Sequence, residues 1–457
     1  EGDRMETRPN ILFIMADQFR ADWLGCAGFP ISTPQIDRIA ARGTRFTRAS
    51  CVCPLCTPSR AALATGRYPH NTGVQVHDAS LPLDAVTYYQ LLRRNGYRVA
   101  AVGKTDLHKN RHEYGERGDL PFMYHMGFTD LCETEGKMNA AWPAVRDGVP
   151  GPAGPYQRLL TEKGWMQALT EDYLDRLRSR PPWYASPSVL PPELFHDRFI
   201  GETACEMLRS MPGDSPWHLF VSFAGPHDPW DPPECYFDRY RDARFPPSIP
   251  PEMEGKPAWI RKRAEKQTGT MDPEGLINMK RHYAGSIAVI DEWVGHILDT
   301  LEERGEAGRT VVVFAADHGE MMGDHGLVQK SVMYEGALRI PLIVALPGQG
   351  SAESGALAEL LDLAPTFLEL AGVQVPPEMD GVSLLPHLLG RQDVLKPLQL
   401  SELSNCQMLF DGRYKWIRNW NDRDELYDLL EDPDELDNRI DRLPEVVARL
   451  QKYTFRQ

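Results

Sequence analysis

The stretch N-I-L-F-I-M-A-D, residues 10–17, decides the fold because it is an unbroken apolar run that ends at a carboxylate. Such a run, without polar alternation, is typical of a strand that is buried on both faces of a parallel sheet. Comparable runs predict three further strands, at residues 97–102, 217–223 and 310–316. Strands of this kind, separated by helices, predict an α/β fold with a large, mostly parallel central sheet sandwiched by helices.

Helices are predicted between these strands at residues 34–43, 88–94 and 276–304. The first has Pro34 at its start and Gly43 at its end, which is the usual polarity of helix signals. Residues 138–197 are rich in Pro, Trp and Gly and have weak periodicity. We interpret them as a long insertion over one edge of the functional site, either a lid or a packing element without a function.

The pattern changes near residue 390. Short strand-like pieces run from Lys396 to Trp420 with a turn at Asp411-Gly412, and a helical stretch follows at 444–451. The sequence therefore predicts a large α/β domain over residues 1–392 and a small C-terminal α+β subdomain over residues 393–457.

Composition restricts the function classes. The net charge of −15 argues against general binding to nucleic acids or anionic membranes, although a cleft can be locally basic. The eight cysteines are mostly scattered, which favours a reducing compartment over a disulfide framework. No apolar run is long enough for a membrane span, and residues 1–10 hold no signal-peptide core. We expect a cytoplasmic protein, or a periplasmic or secreted one if a signal peptide was removed.

Polar residues follow four of the predicted strands, namely Asp17-Gln18, Lys104 to His108, His227-Asp228 and Asp317-His318. In open parallel sheets, ligands bind beyond the carboxyl ends of the strands. An Asp in such a place is more often a turn former or a helix cap, but four polar ends together predict a site. The pairs Asp17-Gln18 and Asp317-His318 predict a site for a divalent cation, either Ca²⁺, Mg²⁺ or Mn²⁺.

The stretch C-T-P-S-R, residues 56–60, places a cysteine beside a predicted helix. Thr57 is a candidate N-cap and Pro58 suits the first helical position, so the helix is predicted over residues 59–65. A thiol just before a helix N-terminus, with Arg60 one turn further on, has a lowered pKa and suits a nucleophile. The alternatives are a zinc or iron–sulfur site with Cys51 and Cys53, and a plain buried cysteine.

This stretch resembles the signature of the type I sulfatases of the alkaline phosphatase superfamily. The residues that carry the resemblance are Cys56 to Arg60 together with Thr65-Gly66-Arg67. Residues 96–104 resemble the family's second signature, and residues 425–433 resemble its C-terminal segment. The resemblance covers nearly the whole chain, most weakly over 110–215. It implies the alkaline-phosphatase-like α/β fold, a catalytic domain at 1–392 and the hydrolysis of sulfuric esters.

The resemblance also implies a chemistry for Cys56. A separate maturation enzyme would oxidise Cys56 in the unfolded chain to Cα-formylglycine, whose aldehyde hydrates to a gem-diol. One hydroxyl, activated by a metal, would attack sulfur and displace the alcohol, and the sulfated intermediate would then expel sulfate. The implied metal ligands are Asp17, Gln18, the modified Cys56, Asp317 and His318. The implied catalytic residues are Cys56, Arg60 holding the hydroxyl, Lys104 and Lys330 on sulfate oxygens, His227 as the acid for the leaving oxygen, and His108.

Two positions depart from the family pattern. Gln18 stands where the family usually has a second Asp, and related phosphonate and phosphodiester hydrolases resemble this chain there. Asp106 stands where the family often has His, and His108 follows two positions later. We expect either that His108 takes over that role or that Asp106 is a substrate contact.

Three functions follow as hypotheses. The first is a sulfatase that acts on a sulfated carbohydrate or an aryl sulfate. The second is a phosphonate monoester or phosphodiester hydrolase on the same scaffold, and the third is a non-catalytic binding protein. The substrate pocket is expected to involve residues 138–197 and the C-terminal subdomain, and the oligomeric state is open.

Overall fold

The computed structural model describes residues 8–109, 120–140 and 154–453, apart from the side chains of residues 139 and 140. Residues 141–153 of the predicted insertion therefore lie outside the described residues. In the described part of the chain, no helix is long and apolar enough to cross a membrane.

A central sheet of eight strands forms the frame of the molecule. In chain order these strands are β1 (Asn10–Asp17), β2 (Thr44–Phe46), β4 (Arg98–Gly103), β5 (Asp130–Glu133), β6 (Trp217–Pro226), β7 (Thr310–Ala316), β8 (Leu342–Ala345) and β9 (Ala352–Ser354). Their spatial order is β5-β4-β6-β1-β7-β8-β2-β9, and β8 alone runs antiparallel to its two neighbours. The predicted mostly parallel sheet is therefore confirmed.

The described ranges of the chain also contain α-helices. They are α1 (Pro34–Ala40), α2 (Cys56–Thr65), α3 (Pro69–Thr72), α4 (Tyr88–Arg94), α5 (Pro121–His125), α6 (Pro155–Glu162), α7 (Met166–Ser179), α8 (His196–Ser210), α9 (Glu234–Phe237), α10 (Ala258–Thr268), α11 (Pro273–Glu303), α12 (Glu335–Leu338), α13 (Leu363–Leu370), α14 (Leu385–Leu388) and α15 (Pro444–Leu450). Two short strands, β3 (Ala49–Ser50) and β10 (Ala358–Glu359), form a separate parallel pair.

Strand β1 lies at the centre of the core. All eight of its residues are buried, and it pairs in parallel with β6 on one side and β7 on the other. Phe13 stacks on Phe220 of β6 with ring centroids 5.0 Å apart. This burial on both faces is the reason why the strand is apolar without alternation.

Helix α11 is the longest helix in the described part of the chain. It begins at Pro273, three residues earlier than predicted, because the Asp272 side chain caps it by accepting from the Gly275 N–H at 2.6 Å. Gly201 of α8 lies against Trp293 of α11, and a Cβ on Gly201 would come within 2.5 Å of the indole ring. The two helices therefore approach closely at this glycine.

The C-terminal sheet is antiparallel and has four strands, in the order β11 (Gln399–Glu402), β12 (Cys406–Phe410), β13 (Tyr414–Asn419) and β14 (Glu425–Asp428). Helix α15 packs on it through Val446 and Leu450. The small α+β unit is confirmed, while the boundary at residue 393 stays a prediction.

Several predicted bounds are wrong. Strand β4 covers residues 98–103 instead of 97–102, and helix α1 ends at Ala40 instead of 43. Strand β6 continues beyond residue 223 to Pro226. The insertion contains two regular helices, α6 and α7, whose side chains form their own apolar cluster around Leu160 and Tyr173. The Pro and Gly content of the whole segment hides the short periodic stretches within it.

The prediction for the start of α2 is also wrong. Cys56 is the first residue of the helix and does not precede it, and Leu55 occupies the N-cap position with extended backbone. Thr57 is not a cap, because its hydroxyl donates to the backbone carbonyl of His77 at 2.8 Å. Gly66 ends the helix with a φ of 65°, as its position in the sequence indicates.

Candidate active site

The ends of β1 and β7 bring the predicted metal ligands together. Because the two strands are adjacent and parallel, Asp17 and Asp317 leave the sheet side by side. Asp17, Cys56, Asp317 and His318 are all buried, and their ligand atoms lie within 4.8 Å of one another. Cys56 Sγ is 3.1 Å from His318 Nε2 and 3.7 Å from Asp17 Oδ1. Four of the five predicted metal ligands therefore form one cluster.

Gln18, the fifth predicted ligand, lies beside this cluster with its amide orientation fixed. Its Nε2 donates to Asp228 Oδ1 at 3.1 Å and to Glu320 Oε2. Its Oε1 accepts from Lys330 Nζ. Because both partners of the nitrogen are carboxylates, the oxygen is the atom that faces the cationic side of the site.

Helix α2 is fixed to the strand ends by two of its own residues. The Ser59 hydroxyl donates to the backbone carbonyl of Asp317 at 2.6 Å. The buried Arg60 guanidinium contacts Asp317 Oδ2 at 2.8 Å, Asp17 Oδ2 at 3.3 Å and Ser222 Oγ at 2.9 Å. Arg60 thus joins β1, β6 and β7, and this places Cys56 over the carboxyl ends of the strands.

The environment of Cys56 favours its anionic form. Burial and the Asp17 carboxylate would raise the pKa of the thiol, but Lys104, Lys330 and His318 outweigh them and hold it well below its usual value. The position at the first turn of α2 acts in the same direction, because free backbone N–H groups point toward the thiol end of the helix. The site therefore stabilises negative charge at the sulfur of Cys56, the candidate nucleophile of the sequence analysis.

Asp17 is ionised in this environment. Burial would raise its pKa, but Lys104, His227, Arg60 and His318 hold the pKa well below the usual range for aspartate. Lys104 Nζ contacts Asp17 Oδ2 directly and lies 3.4 Å from Asp106 Oδ2. Burial lowers the pKa of Lys104, but Asp106, Asp17 and Cys56 raise it well above its usual value, so Lys104 remains an ammonium.

His227 and Lys330 form a contacting pair at the rim of the site. His227 Nδ1 is 2.5 Å from the backbone carbonyl of Asp228, so this nitrogen carries a proton. Lys330 Nζ contacts His227 Nε2, which accepts from the ammonium. Burial lowers the pKa of Lys330, but Cys56, Asp228 and Asp17 raise it, so Lys330 stays protonated.

His77, which was not predicted, and Asp106, one of the two predicted alternatives, lie on the other side of Cys56. The ligand atoms of His77 and Asp106 lie within 4.8 Å of Cys56 Sγ. Asp106 has left-handed backbone, with a φ of 58°, and its Oδ1 is 2.6 Å from Lys109 Nζ. His108 stacks flat on Phe122 of α5, with ring centroids 4.2 Å apart. A role for His108 stays a prediction, and Asp106 occupies the position next to Cys56.

Two residues of the site were not predicted from the sequence. His77 lies in an irregular loop between α3 and α4 and follows no strand. Glu320 lies two residues after His318, where it holds Gln18 and accepts from the backbone N–H of Met322 at 3.0 Å. The sequence contains a weak signal for Glu320, a third acidic or polar residue after the end of β7, and none for His77.

Among the described residues, Cys51 and Cys53 do not join Cys56 in a group of candidate metal ligands, so the alternative of a zinc or iron–sulfur site gains no support. All eight cysteines are unpaired, and Cys51 and Cys53 are buried. Burial raises the pKa of both thiols well above the usual value. Cys51 Sγ contacts the carbonyl of Ala337, as a structural thiol does.

Comparison with known proteins identifies the family. The Sulfatase family model matches residues 9–373, and the model of the C-terminal region of N-sulphoglucosamine sulphohydrolase matches residues 323–454. An arylsulfatase of Clostridium perfringens is 28% identical over 95% of this chain and 90% of its own length. A choline-sulfatase of Rhizobium meliloti is 29% identical over 94% of this chain and 82% of its own length.

Solved structures show the same fold. A phosphonate monoester hydrolase of Agrobacterium radiobacter superposes with a TM-score of 0.81 at 23% identity, over 97% of this chain and 94% of that one. A structure in complex with D-glucosamine-2-N,6-O-disulfate has a TM-score of 0.74 at 22% identity, over 98% and 96% of the two chains. With the matched family model and the buried cluster around Cys56, the chain belongs to the sulfatase family of the alkaline phosphatase superfamily and is a sulfuric ester hydrolase.

Proposed function

We propose that this enzyme hydrolyses organic sulfate monoesters with Cys56, converted to formylglycine, as its nucleophile. The observation that carries the proposal is the position of Cys56 at the start of α2, between Asp17 and His318 and under the charges of Lys104 and Lys330. The substrate class is a sulfated carbohydrate or an aryl sulfate. Relatives named arylsulfatase and N-acetylglucosamine-6-O-sulfatase, the latter from Bacteroides thetaiotaomicron and 28% identical, support this class.

The residues present fit a divalent cation. Two buried carboxylates and an imidazole converge within 4.8 Å, and the Gln18 oxygen faces the cationic side of the site. Asp17, Gln18, Asp317 and His318 would hold the ion, with position 56 adjacent, and oxygen-rich ligation supports Ca²⁺ ahead of Mg²⁺ or Mn²⁺. When bound, such an ion polarises a sulfate oxygen and lowers the pKa of a neighbouring hydroxyl.

The chain's own cations would bind the sulfate. Lys104 is a buried and Lys330 a partly buried ammonium group, and Asp17 and Cys56 favour the protonated state of both. They would neutralise sulfate oxygens as negative charge develops on them, in a site where water is largely excluded. Arg60 would orient the hydroxyl at position 56, because it is fixed to Asp17 and Asp317 from the other side.

His227 and Lys330 would together deliver the proton to the leaving alcohol. His227 Nδ1 donates to the Asp228 carbonyl, so the exchangeable position is Nε2. The Lys330 ammonium lies against that nitrogen and can supply its proton there. We therefore assign the acid role to the pair and the orientation of the imidazole to Asp228, whose Oδ1 is 3.3 Å from His227 Nδ1.

Replacing His227 by Ala tests this assignment. We expect kcat/KM for alkyl sulfates to fall by about 10²–10⁴-fold, because their leaving oxygens need protonation. Aryl sulfates with acidic phenols need little help and should lose far less. The measurement is the dependence of kcat/KM on the pKa of the leaving group, which should become steeper in the variant.

His125→Ala is the matched control for this experiment. His125 is exposed on α5 and its Nε2 contacts the Leu83 carbonyl at 2.7 Å. We expect the His125 variant to keep the leaving-group dependence of the parent enzyme. Equal losses on alkyl and aryl sulfates in the His227 variant would rule out the acid role.

A second candidate function is the hydrolysis of phosphonate monoesters or phosphodiesters. Gln18 favours it, because an amide in place of a carboxylate removes one negative charge from the cation site. Ser59 and Lys330 favour the sulfatase, because both belong to the resemblance to the type I sulfatases. A higher kcat/KM for an aryl phosphonate than for the matching aryl sulfate would make the hydrolysis of phosphorus esters the first candidate function.

The structure also supports three accompanying proposals. Cys56 is 1% exposed, so a maturation enzyme would have to act on it before the chain folds. The eight unpaired cysteines support a reducing compartment. The catalytic domain would extend over residues 1–392 and the small subdomain over 393–457.

A further inference from the structure

A cavity of about 440 Å³ lies directly behind the proposed acid pair. We call it the α10 pocket, since Arg263, Lys266 and Gln267 of α10 line it. Asp228 and Gln329 also line it, and the Gln329 amide donates to Asp228 Oδ2 at 3.0 Å. Asp228 contacts His227, and Gln329 precedes Lys330 in the chain, so two residues of the pocket wall adjoin the acid pair.

The lining of the α10 pocket carries a strong excess of positive charge. Four of its side chains are cationic, namely Arg176, Arg180, Arg263 and Lys266, while Asp228 is the acidic residue among those that line it. The whole chain, by contrast, has a net charge of −15. A locally basic cavity on an acidic protein attracts anions to one place and repels them elsewhere.

Two of these cations have carboxylate partners and two do not. Arg176 Nε is 2.7 Å from Asp172, and Arg180 Nε is 2.9 Å from Asp175. Arg263 donates to the backbone carbonyls of Ser331, at 3.0 Å, and Lys330. Within the described ranges of the chain, neither Arg263 nor Lys266 has a carboxylate oxygen within 4.0 Å, the limit for an ion pair.

The charge on Arg263 is costly in this arrangement. Its side chain is partly buried, and this burial lowers its pKa despite opposing contributions from Glu320 and Cys406. A desolvated cation whose partners are only carbonyl groups is stabilised when an anion binds beside it. Among the described residues, one guanidinium nitrogen of Arg176, NH1, is buried without a hydrogen-bond partner.

The rest of the lining combines apolar side chains, among them Leu177 and Pro229, with groups that can hydrogen-bond to sugar hydroxyls. Gln267, Gln329 and Asp228 offer amide and carboxylate groups to hydroxyls, and the ring of Tyr184 forms part of one wall. Tyr184 is covered by Arg176 and Arg180, whose guanidinium carbons lie 5.4 and 5.0 Å from its ring centroid. The volume lies within the usual range for ligand pockets of about 300–1,000 Å³.

We propose that the α10 pocket binds a second anionic group, a carboxylate or a further sulfate, carried by the saccharide whose sulfate ester is cleaved. This inference rests on the proposed function, because His227 at the leaving oxygen directs the alcohol part of the substrate toward the pocket. The natural substrate is then an acidic sulfated saccharide, and neutral sulfated sugars and small aryl sulfates are poorer substrates.

Matched disaccharides test the proposal. The probes are O-sulfated hexosamine–uronate disaccharides, their carboxyl-reduced counterparts, the reduced forms with a second sulfate, and 4-nitrophenyl sulfate. We expect kcat/KM to be at least about tenfold higher for an acidic disaccharide than for its reduced counterpart, with the difference shrinking as salt rises. Restoration of the rate by the second sulfate alone would assign the pocket to sulfate, and no restoration would assign it to carboxylate.

The Lys266→Glu variant tests whether the preference for acidic disaccharides depends on the α10 pocket. Lys266 is exposed and lies outside the catalytic cluster, so the variant should hydrolyse 4-nitrophenyl sulfate within about twofold of the parent rate. Its kcat/KM for the acidic disaccharide should fall about tenfold or more, mainly through an increase in KM. Lys262→Glu is the matched control, because Lys262 is exposed on the same helix and does not line the pocket. Equal rates of the parent enzyme on acidic and reduced disaccharides, or equal losses of Lys266→Glu on both substrate classes, would overturn the proposal.

A binding measurement tests the α10 pocket independently of the proposed function. If no sulfate ester is hydrolysed, the proposed function fails, and calorimetry with a sulfate-free hexosamine–uronate disaccharide still tests the pocket. Binding by the parent protein that Lys266→Glu weakens and Lys262→Glu does not would support an anion pocket. No binding by the parent protein of either this disaccharide or the reduced form with a second sulfate would contradict it.

Discussion

Cys56→Ala is expected to lose kcat by roughly 10⁴–10⁶-fold on every sulfate ester, the range found when a nucleophile is removed. Cys56 is the residue at which Lys104, Lys330 and His318 stabilise negative charge, and an alanine there has no group that can attack sulfur. The fold should survive, because the substitution removes one small group from a helix that Ser59 and Arg60 hold in place. The measurements are sulfate release and the thermal unfolding midpoint.

Cys53→Ala is the matched control. Cys53 is as buried as Cys56 and three residues away, but burial and Cys51 raise the pKa of its thiol well above the usual value. We expect this variant to keep the parent activity within a few-fold. Turnover by Cys56→Ala above trace level, or an equal loss in both variants, would contradict the nucleophile assignment.

Asp317→Asn is expected to remove the cation and the activity together. The carboxylate lies within 4.8 Å of the other candidate ligand atoms, and its Oδ2 contacts Arg60 at 2.8 Å. Asn keeps an amide oxygen at this position but loses the negative charge that balances the cation, so metal binding should weaken by more than the 10–100-fold that is typical of residues behind the ligands. The measurement is the metal content per chain after gel filtration, together with kcat/KM for an aryl sulfate.

Asp362→Asn separates the loss of the metal from a general loss of stability. Asp362 is a buried carboxylate that pairs with Lys396 at 2.7 Å, and it is not among the candidate ligands. Breaking a buried ion pair costs about 3–5 kcal/mol of unfolding free energy, so both variants should be less stable. Only Asp317→Asn should lose the ion, and an unchanged metal content in that variant would remove Asp317 from the ligand set.

The central frame could be predicted from the sequence because each buried strand carries its own signal. The bounds of β7 and α4 agree with the predicted residues, and β1 ends at the predicted carboxylate. Parallel strands place their carboxyl ends at one edge, so the convergence of Asp17 and Asp317 follows from the same pattern. The prediction for helix α2 was less accurate. The helix begins after Leu55, whose backbone is extended, and no side chain caps its first turn.

The rest of the site depends on tertiary contacts that no local pattern contains. His77 reaches Cys56 from an irregular loop, where its residue type has no periodic or positional signal. Whether His108 or Asp106 lies next to Cys56 depends on the loop after Lys104, in which Asp106 adopts left-handed backbone. The α10 pocket combines α7 of the insertion with α10, and these helices are some 90 residues apart in the chain.

The most direct test of the account is the ratio of kcat/KM for an aryl sulfate to that for the matching aryl phosphonate monoester. It requires metal-loaded enzyme in which mass spectrometry has verified the conversion of Cys56, and Cys56→Ala as the blank. We predict a strong preference for the sulfate, with Gln18 acting as a neutral ligand in a sulfatase. A preference for the phosphorus ester would contradict the account and would make Gln18 the residue that determines the reaction.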